Sequence, residues 1–189
     1  MNKKIIILIG GYLAAGKTTF SRYLSKQIGV LCIHKDYVKE TLCDRLGFEN
    51  RDENKRFSEA TFDVMKHIAQ QCMEVGAPII LESNFRPADG DEMKPLIQKY
   101  GYSPLTVMFM GDEGVLFERF NERLEGRHPA HTSAFVSFEG FCNHGKELLS
   151  FDIGGPKIMV DTTDLDGVCF DELISNIKKI ISTQEEQHE

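Results

Sequence analysis

The sequence contains no internal repeat and no low-complexity segment, which argues against solenoids, arrays and disordered linkers. Its five cysteines, Cys32, Cys43, Cys72, Cys142 and Cys169, are odd in number and scattered, with no C-x-x-C pair among them. That spacing argues against a disulfide framework and reads as reduced thiols in a cytoplasmic protein. Nor is there an apolar run suited to a signal-peptide core or a membrane span: Ile5 to Ile9 follows lysines but is only as long as a strand. A basic stripe with interleaved aromatics is also missing, and 29 acidic against 22 basic side chains leave a net charge of −7. Nucleic acid and anionic membrane are therefore disfavoured as partners, and any phosphate-binding site has to be local.

What is present suits a folded chain. Apolar residues at 41% and charged residues at 27% are the balance of a globular protein, and 189 residues suffice for one core but not two. One domain is expected over residues 1–183, followed by a frayed polar tail, 184–189.

The β-branched run Ile5-Ile6-Ile7-Leu8-Ile9, closed by Gly10-Gly11, predicts a parallel strand buried on both faces. A helix follows from Lys17 to Gln27, with Phe20, Leu24 and Ile28 at helical spacing. Further strands are expected at Val30–Ile33, Ile79–Leu81, Leu105–Met110 and Lys157–Val160. Helices are expected from about His34 to Gly47, Asn54 to Val75, Asp91 to Tyr100, Glu113 to Leu124, Phe138 to Leu149 and Phe170 to Ile181. This alternation predicts an α/β fold: a five-stranded parallel sheet, helices on both faces, right-handed crossovers. Ligands bind such folds beyond the carboxyl ends of the strands, and the chemically notable residues fall there.

Gly11-Tyr12-Leu13-Ala14-Ala15-Gly16-Lys17-Thr18 matches G-x-x-x-x-G-K-[ST] in full, between a strand and a helix. The glycines let the loop curl so that backbone N–H groups around Gly11, Ala14, Ala15 and Gly16 face one anion, helped by the helix N-terminus. Lys17 would reach the β- and γ-phosphates, Thr18 would place its hydroxyl on Mg²⁺, and Thr19 would touch the α-phosphate. A three-layer P-loop NTPase fold is the expectation, with ATP and Mg²⁺ as ligands.

Three other strand ends refine the reading. Asp36, after the second strand, is placed to accept a proton from an acceptor hydroxyl, although a helix N-cap is the bland alternative. Its neighbour Lys35 reads as a surface lysine and His34 as a packing residue. Glu82, ending the third strand, suits water-mediated contact with Mg²⁺; Asn84 and Arg86 suit an acceptor's polar or charged groups, or else an Asx-turn beside a solvated arginine. Thr162, in Asp161-Thr162-Thr163-Asp164, sits where an adenine edge would lie, or in a plain turn.

Arg119, Arg123 and Arg127 recur every four residues and lead into Gly126-Arg127-His128-Pro129, a loop too rich in breakers to be a helix face. They are expected to form a lid over about 119–137 that neutralises charge on a transferred phosphoryl group, the alternative being a solvated face paired with Glu118, Glu122 and Glu125. The spacing of His128, His131, Cys142 and His144 is not a usual zinc pattern.

Together, the phosphate loop, His34-Lys35-Asp36, Leu81-Glu82-Ser83-Asn84-Phe85, the arginine lid and Val160-Asp161-Thr162-Thr163 resemble the small P-loop kinases grouped as AAA-domain, or zeta-toxin/chloramphenicol-phosphotransferase-like, proteins. The resemblance spans nearly the whole chain. It implies an ATP-dependent transfer to a hydroxyl of a small acceptor, with Lys17, Asp36, Arg123 and Arg127 catalytic, Thr18 and Glu82 at the metal, Arg119 stacking on adenine, and Asp36, Asn84 and Arg86 near the acceptor. A monomer or homodimer is expected. The acceptor site should be built from the segment Tyr37 to Ala77, with Arg45, Arg51, Arg56, Phe48, Phe57 and Phe62. The competing readings are a polynucleotide or RNA 5′-end kinase and a nucleotide-dependent switch. Calorimetry with Mg·ATP should show binding that is lost in Lys17→Ala; binding that survives this change would defeat the phosphate-loop assignment.

Overall fold

The computed structural model describes residues 4–131 and 137–186. Residues 132–136 of the expected lid and 187–189 of the expected tail lie outside the described residues. Five strands, β1 (Ile5–Gly11), β2 (Cys32–His34), β3 (Ile79–Glu82), β4 (Ser103–Met110) and β5 (Lys157–Asp161), form one all-parallel sheet in the order β2-β3-β1-β4-β5. Between and after them run α1 (Lys17–Ile28), α2 (Lys35–Leu46), α3 (Arg51–Glu74), α4 (Pro87–Tyr100), α5 (Glu113–Glu122), α6 (Phe138–Leu149) and α7 (Phe170–Glu186).

The central position of β1 follows from its composition, since all seven residues are buried. Successive side chains of a strand point to opposite faces. Ile5, Ile7 and Ile9 thus enter one core with Phe20 and Leu24 of α1, Phe120 of α5, Phe141 of α6 and Ile177 of α7. Ile6 and Leu8 enter the other with Phe62 and Met65 of α3 and Met93 and Ile97 of α4. Each such side chain contributes about 2 kcal/mol on burial, so this strand is strongly specified in place and register.

From β1 the chain passes to the edge strand β2, returns to β3 beside β1, and then places β4 on the other side of β1. Such a reversal opens a crevice at the carboxyl ends of β1 and β3. The register pairs Ile9 with Glu82, which sets that carboxylate at the root of the phosphate loop.

Several boundaries depart from the sequence expectation. α4 starts at Pro87, not Asp91. Proline is preorganised for the first helical turn, and the Asp89 carboxylate accepts from Arg86 N at 2.7 Å, closing the N-terminus. α3 starts at Arg51 because Asn50 caps it, its side chain accepting from Glu53 N at 3.0 Å. α7 continues to Glu186, into the segment expected to fray. Among the described residues no helix is long and apolar enough to cross a membrane.

One contact ties the far side of the fold to the phosphate loop. A Cβ on Gly145 of α6 would lie 1.8 Å from the Tyr12 ring, so glycine is what leaves room for that ring against the helix. The Tyr12 hydroxyl then donates to Glu113 at 2.6 Å, which anchors the loop to α5 as well. Gly145→Ala should cost roughly 1–3 kcal/mol of stability by overpacking and weaken Mg·ATP binding. Chemical denaturation and calorimetry would test this; an unchanged midpoint would show that Tyr12 does not bear on α6.

Candidate active site

The loop between β1 and α1 is held in its curl by contact with β4. Gly11 has φ 116°, and a Cβ there would lie 2.0 Å from Phe109 O, so no side chain fits. Tyr12 N donates to the same carbonyl at 2.9 Å. Ala14 (φ 58°) and Gly16 (φ 83°) are both left-handed, the first at a cost in a residue bearing a Cβ. Alternating turns of this kind aim consecutive N–H groups into one concavity. A cavity of about 160 Å³ lies there, lined by residues 13–19 together with Asp36, Glu82, Asn84, Phe120, Arg123 and Arg127. Leu165, 3.0 Å from where a Gly16 Cβ would be, roofs the loop from the β5 side; nothing in the sequence singled it out.

Lys17 is 7% exposed, and its ammonium donates to Tyr12 O (2.6 Å) and Gly11 O (3.1 Å). Burial lowers its basicity, while Glu82 and Asp36 oppose that effect. Glu82 is equally buried, and desolvation pushes its carboxyl up to about 7 despite the nearby Lys17. Thr18 Oγ1 donates to Glu82 Oε2 at 3.2 Å. A hydroxyl and a carboxylate side by side at the end of a phosphate cradle are hard oxygen donors, and they fit Mg²⁺, which takes few protein ligands and completes its shell with phosphate and water.

The expected lid divides. Arg123 caps the end of α5 and, with Arg127, lines the cavity. The Arg127 guanidinium lies 5.1 Å from the Phe120 ring centroid, which fixes its approach. Arg119 goes elsewhere: it donates to Thr162 O (2.6 Å) and Thr163 O (2.9 Å), tying α5 to the end of β5. Since α5 ends at Glu122, the four-residue spacing does not keep all three arginines on one face. Thr162 is fully buried and donates its hydroxyl to Met110 O at 2.9 Å, so its side chain is not offered to a nucleotide.

Beyond the arginines the chain is latched onto α2 and α3. Lys39, 8% exposed, donates to Ala130 O (2.9 Å) and Asn54 Oδ1 (2.8 Å), and Asn54 donates to Ala130 O (3.0 Å). His128 meets Asp44 at 2.9 Å and His131 meets Glu40 at 2.6 Å. These carboxylate contacts account for the two histidines, and among the described residues no group of three or more His, Cys, Asp or Glu could hold a metal. Lys39 and Asn54 carried no motif signal, because their partner is a backbone carbonyl distant in sequence.

A second, larger cavity of about 650 Å³ adjoins the first. Leu13, Asp36, Asn84 and Arg127 line both. From the expected acceptor segment Arg51 and Phe62 contribute, whereas Arg45, Arg56, Phe48 and Phe57 do not; Arg86 of the α4 cap and His144 of α6 join instead. Lys35 is half-buried in this wall, donating to Ser58 Oγ at 3.1 Å, and is not the surface lysine its sequence context suggested. His34 does pack, stacking on Tyr37 at 5.1 Å between ring centroids.

Residues 6–138 match the AAA domain family. No curated protein matches the sequence. A provisionally assigned kinase of Chloroflexus aurantiacus shares 26% identity at a TM-score of 0.85, covering 94% of this chain and 98% of the other. A gluconokinase of Sinorhizobium meliloti (14% identity, TM-score 0.58, 99% and 97% covered) shares the fold. So does the tunicamycin resistance protein of Deinococcus radiodurans (18%, 0.57, 95% and 96%).

The raised Glu82 carboxyl makes the ligand-free protein pH-sensitive in a definite direction. The folded state holds a proton that the unfolded chain releases near its ordinary 4.5. Stability is therefore lost as pH rises from about 5 through 7, by at most about 3 kcal/mol, with Lys17 offsetting part. Glu82→Gln, measured by urea denaturation without Mg²⁺ or nucleotide, should gain stability over the wild type across that window and match it below pH 4.5. A difference independent of pH would refute the assignment.

Proposed function

The chain belongs to the AAA domain family, and from that membership we propose that it is an ATP-dependent kinase, with residues 1–183 as its catalytic domain, that transfers the γ-phosphate to a hydroxyl of a small-molecule acceptor. The observation that carries this reading is the place of Asp36. It lines both the phosphate-loop cavity and the larger one, so a carboxylate stands where a triphosphate and an alcohol would meet. The 26% identity to a provisionally assigned kinase over nearly the full length of both chains supports the same reaction class.

In this mechanism the loop amides bind the phosphate tail, and Lys17 leaves the carbonyls of Gly11 and Tyr12 to meet the β- and γ-oxygens. Exchanging neutral carbonyl partners for phosphate oxygens favours the ammonium form that burial opposes. Asp36 orients the acceptor hydroxyl in line with the γ-phosphorus and takes its proton as the new O–P bond forms and the bond to the β-phosphate oxygen breaks. Arg123 and Arg127, which line the same cavity, offset charge on the transferred group. Mg²⁺, held at Thr18 and near Glu82, would supply charge neutralisation between the phosphates.

Asp36→Ala should lower kcat by about 10² to 10⁴-fold, the usual worth of a positioned base, and leave Mg·ATP affinity within about twofold. ADP release from an acceptor panel and calorimetry would measure the two. Turnover close to wild type would remove Asp36 from the mechanism.

A further inference from the structure

The larger cavity falls within the size range of small-molecule sites, but those are mostly apolar and this one is not. Leu13 and Phe62 are the only apolar side chains among the described residues that line it. An acceptor dominated by aromatic or aliphatic surface would leave these polar groups without partners, which costs more than its own burial returns.

The charges in the wall are numerically balanced but not equally available. Asp63 and Glu92 both pair with Lys66, Glu59 lies 3.9 Å from Lys55, and Asp89 accepts from the backbone of Arg86. Asp52 stands in the first turn of α3, where the helix N-terminus offsets its charge. The cations are less committed. Lys35 bonds only to the neutral Ser58 hydroxyl, and neither Arg86 nor Arg51 forms a salt bridge among the described residues. Burial holds both Lys35 and His144 below their usual basicity, and the charge of Arg86 adds to that in each. Asp89 and Asp36 offset part of the charge at Lys35, and Glu147 lies 3.6 Å from His144, which leaves Arg86 and Lys35 as neighbouring cations of this wall with no salt bridge among the described residues.

A second, independent observation marks the same place. Ser83 is 4% exposed, lines this cavity, and its Oγ is the one buried side-chain polar atom among the described residues with no hydrogen-bond partner. Buried hydroxyls are nearly always satisfied, so an orphan on a residue that lines a cavity points to a ligand atom.

Resting on the kinase reading, we propose that the acceptor is a small polyhydroxylated anion, its carboxylate or phosphate held by Arg86, Lys35 and the Ser83 hydroxyl, with one of its own hydroxyls at Asp36. The acceptor hydroxyl loses its proton to Asp36 as in the general mechanism, and the anionic group serves only to bind and orient. The site would bind its ligand by charge and hydrogen bonds, and reject neutral analogues by leaving Arg86 and Ser83 unpaired.

The test uses the full chain with Mg·ATP and matched panels: sugar acids and hydroxycarboxylic acids, sugar phosphates, and the neutral sugars and alditols of equal chain length. ADP release gives kcat/KM, and calorimetry in the presence of Mg·ADP gives binding of the same compounds. At least one anionic arm should exceed its neutral counterpart tenfold or more, and which arm does so identifies carboxylate or phosphate. Arg86→Gln should then raise KM for that acceptor at least tenfold, and Ser83→Ala several-fold, with Mg·ATP affinity unchanged. A hydroxyl of merely structural importance would leave KM where it is, since it has no partner to lose. Neutral alcohols turned over as well as anions, a KM unmoved by R86Q, or no anion bound while Mg·ATP still binds would each overturn the proposal and leave the kinase reading intact. Absence of Mg·ATP binding would bring down that reading and this one with it.

Discussion

Holding the Lys17 ammonium out of water at the end of a parallel sheet is costly unless oxygens surround it. They do so from three directions: the carbonyls of Gly11 and Tyr12 by direct hydrogen bonds, and the carboxylates of Glu82 and Asp36 by charge. That requirement propagates through the fold. The carbonyls are in reach because Gly11 lies against Phe109 of β4 with no room for a Cβ, and Glu82 is in reach because β3 pairs in register with β1. In the proposed mechanism these partners are the ones that phosphate oxygens replace.

The neighbourhood of Asp36 has the opposite character. It is exposed, on the first turn of α2, and lies where two cavities meet. Around it the walls are rigidly braced: Lys39 and Asn54 grip the carbonyl of Ala130, and His131 meets Glu40. A buried lysine satisfied by an amide and a carbonyl fixes the relative position of α2, α3 and the segment after α5 more sharply than an apolar contact would, because hydrogen bonds demand direction as well as proximity. The geometry at Asp36 therefore depends on this latch, whose His131 lies 3.9 Å from the Asp36 carboxylate and whose Lys39 and Asn54 line the same cavity.

The main elements of this arrangement were legible from local pattern. A strand buried on both faces writes itself as an uninterrupted apolar run, and a phosphate loop needs its glycines at set intervals, so β1, the loop and α1 could be read directly. The errors lie where a local signal has two uses. The helix expected from Asp91 begins one turn earlier, with Pro87 as the first residue of α4. The arginine spacing suggested a lid of three, but α5 ends before Arg123, and Arg119 bonds to the end of β5 while Arg123 and Arg127 line the cavity. Lys35 looked like a solvated lysine since nothing in its neighbours reveals that α3 and α4 close over it.

The sequence by itself determined the α/β class, the strands of the sheet and the phosphate cradle, because each of these is encoded in contiguous residues whose periodicity or backbone freedom is visible without partners. Only tertiary structure decided the order of the strands, the pairing of Thr18 with Glu82, the latch on Ala130 and the composition of the larger cavity. Those features join residues scores of positions apart, and their energy comes from burial and hydrogen bonds that exist only once distant helices have packed on a common sheet.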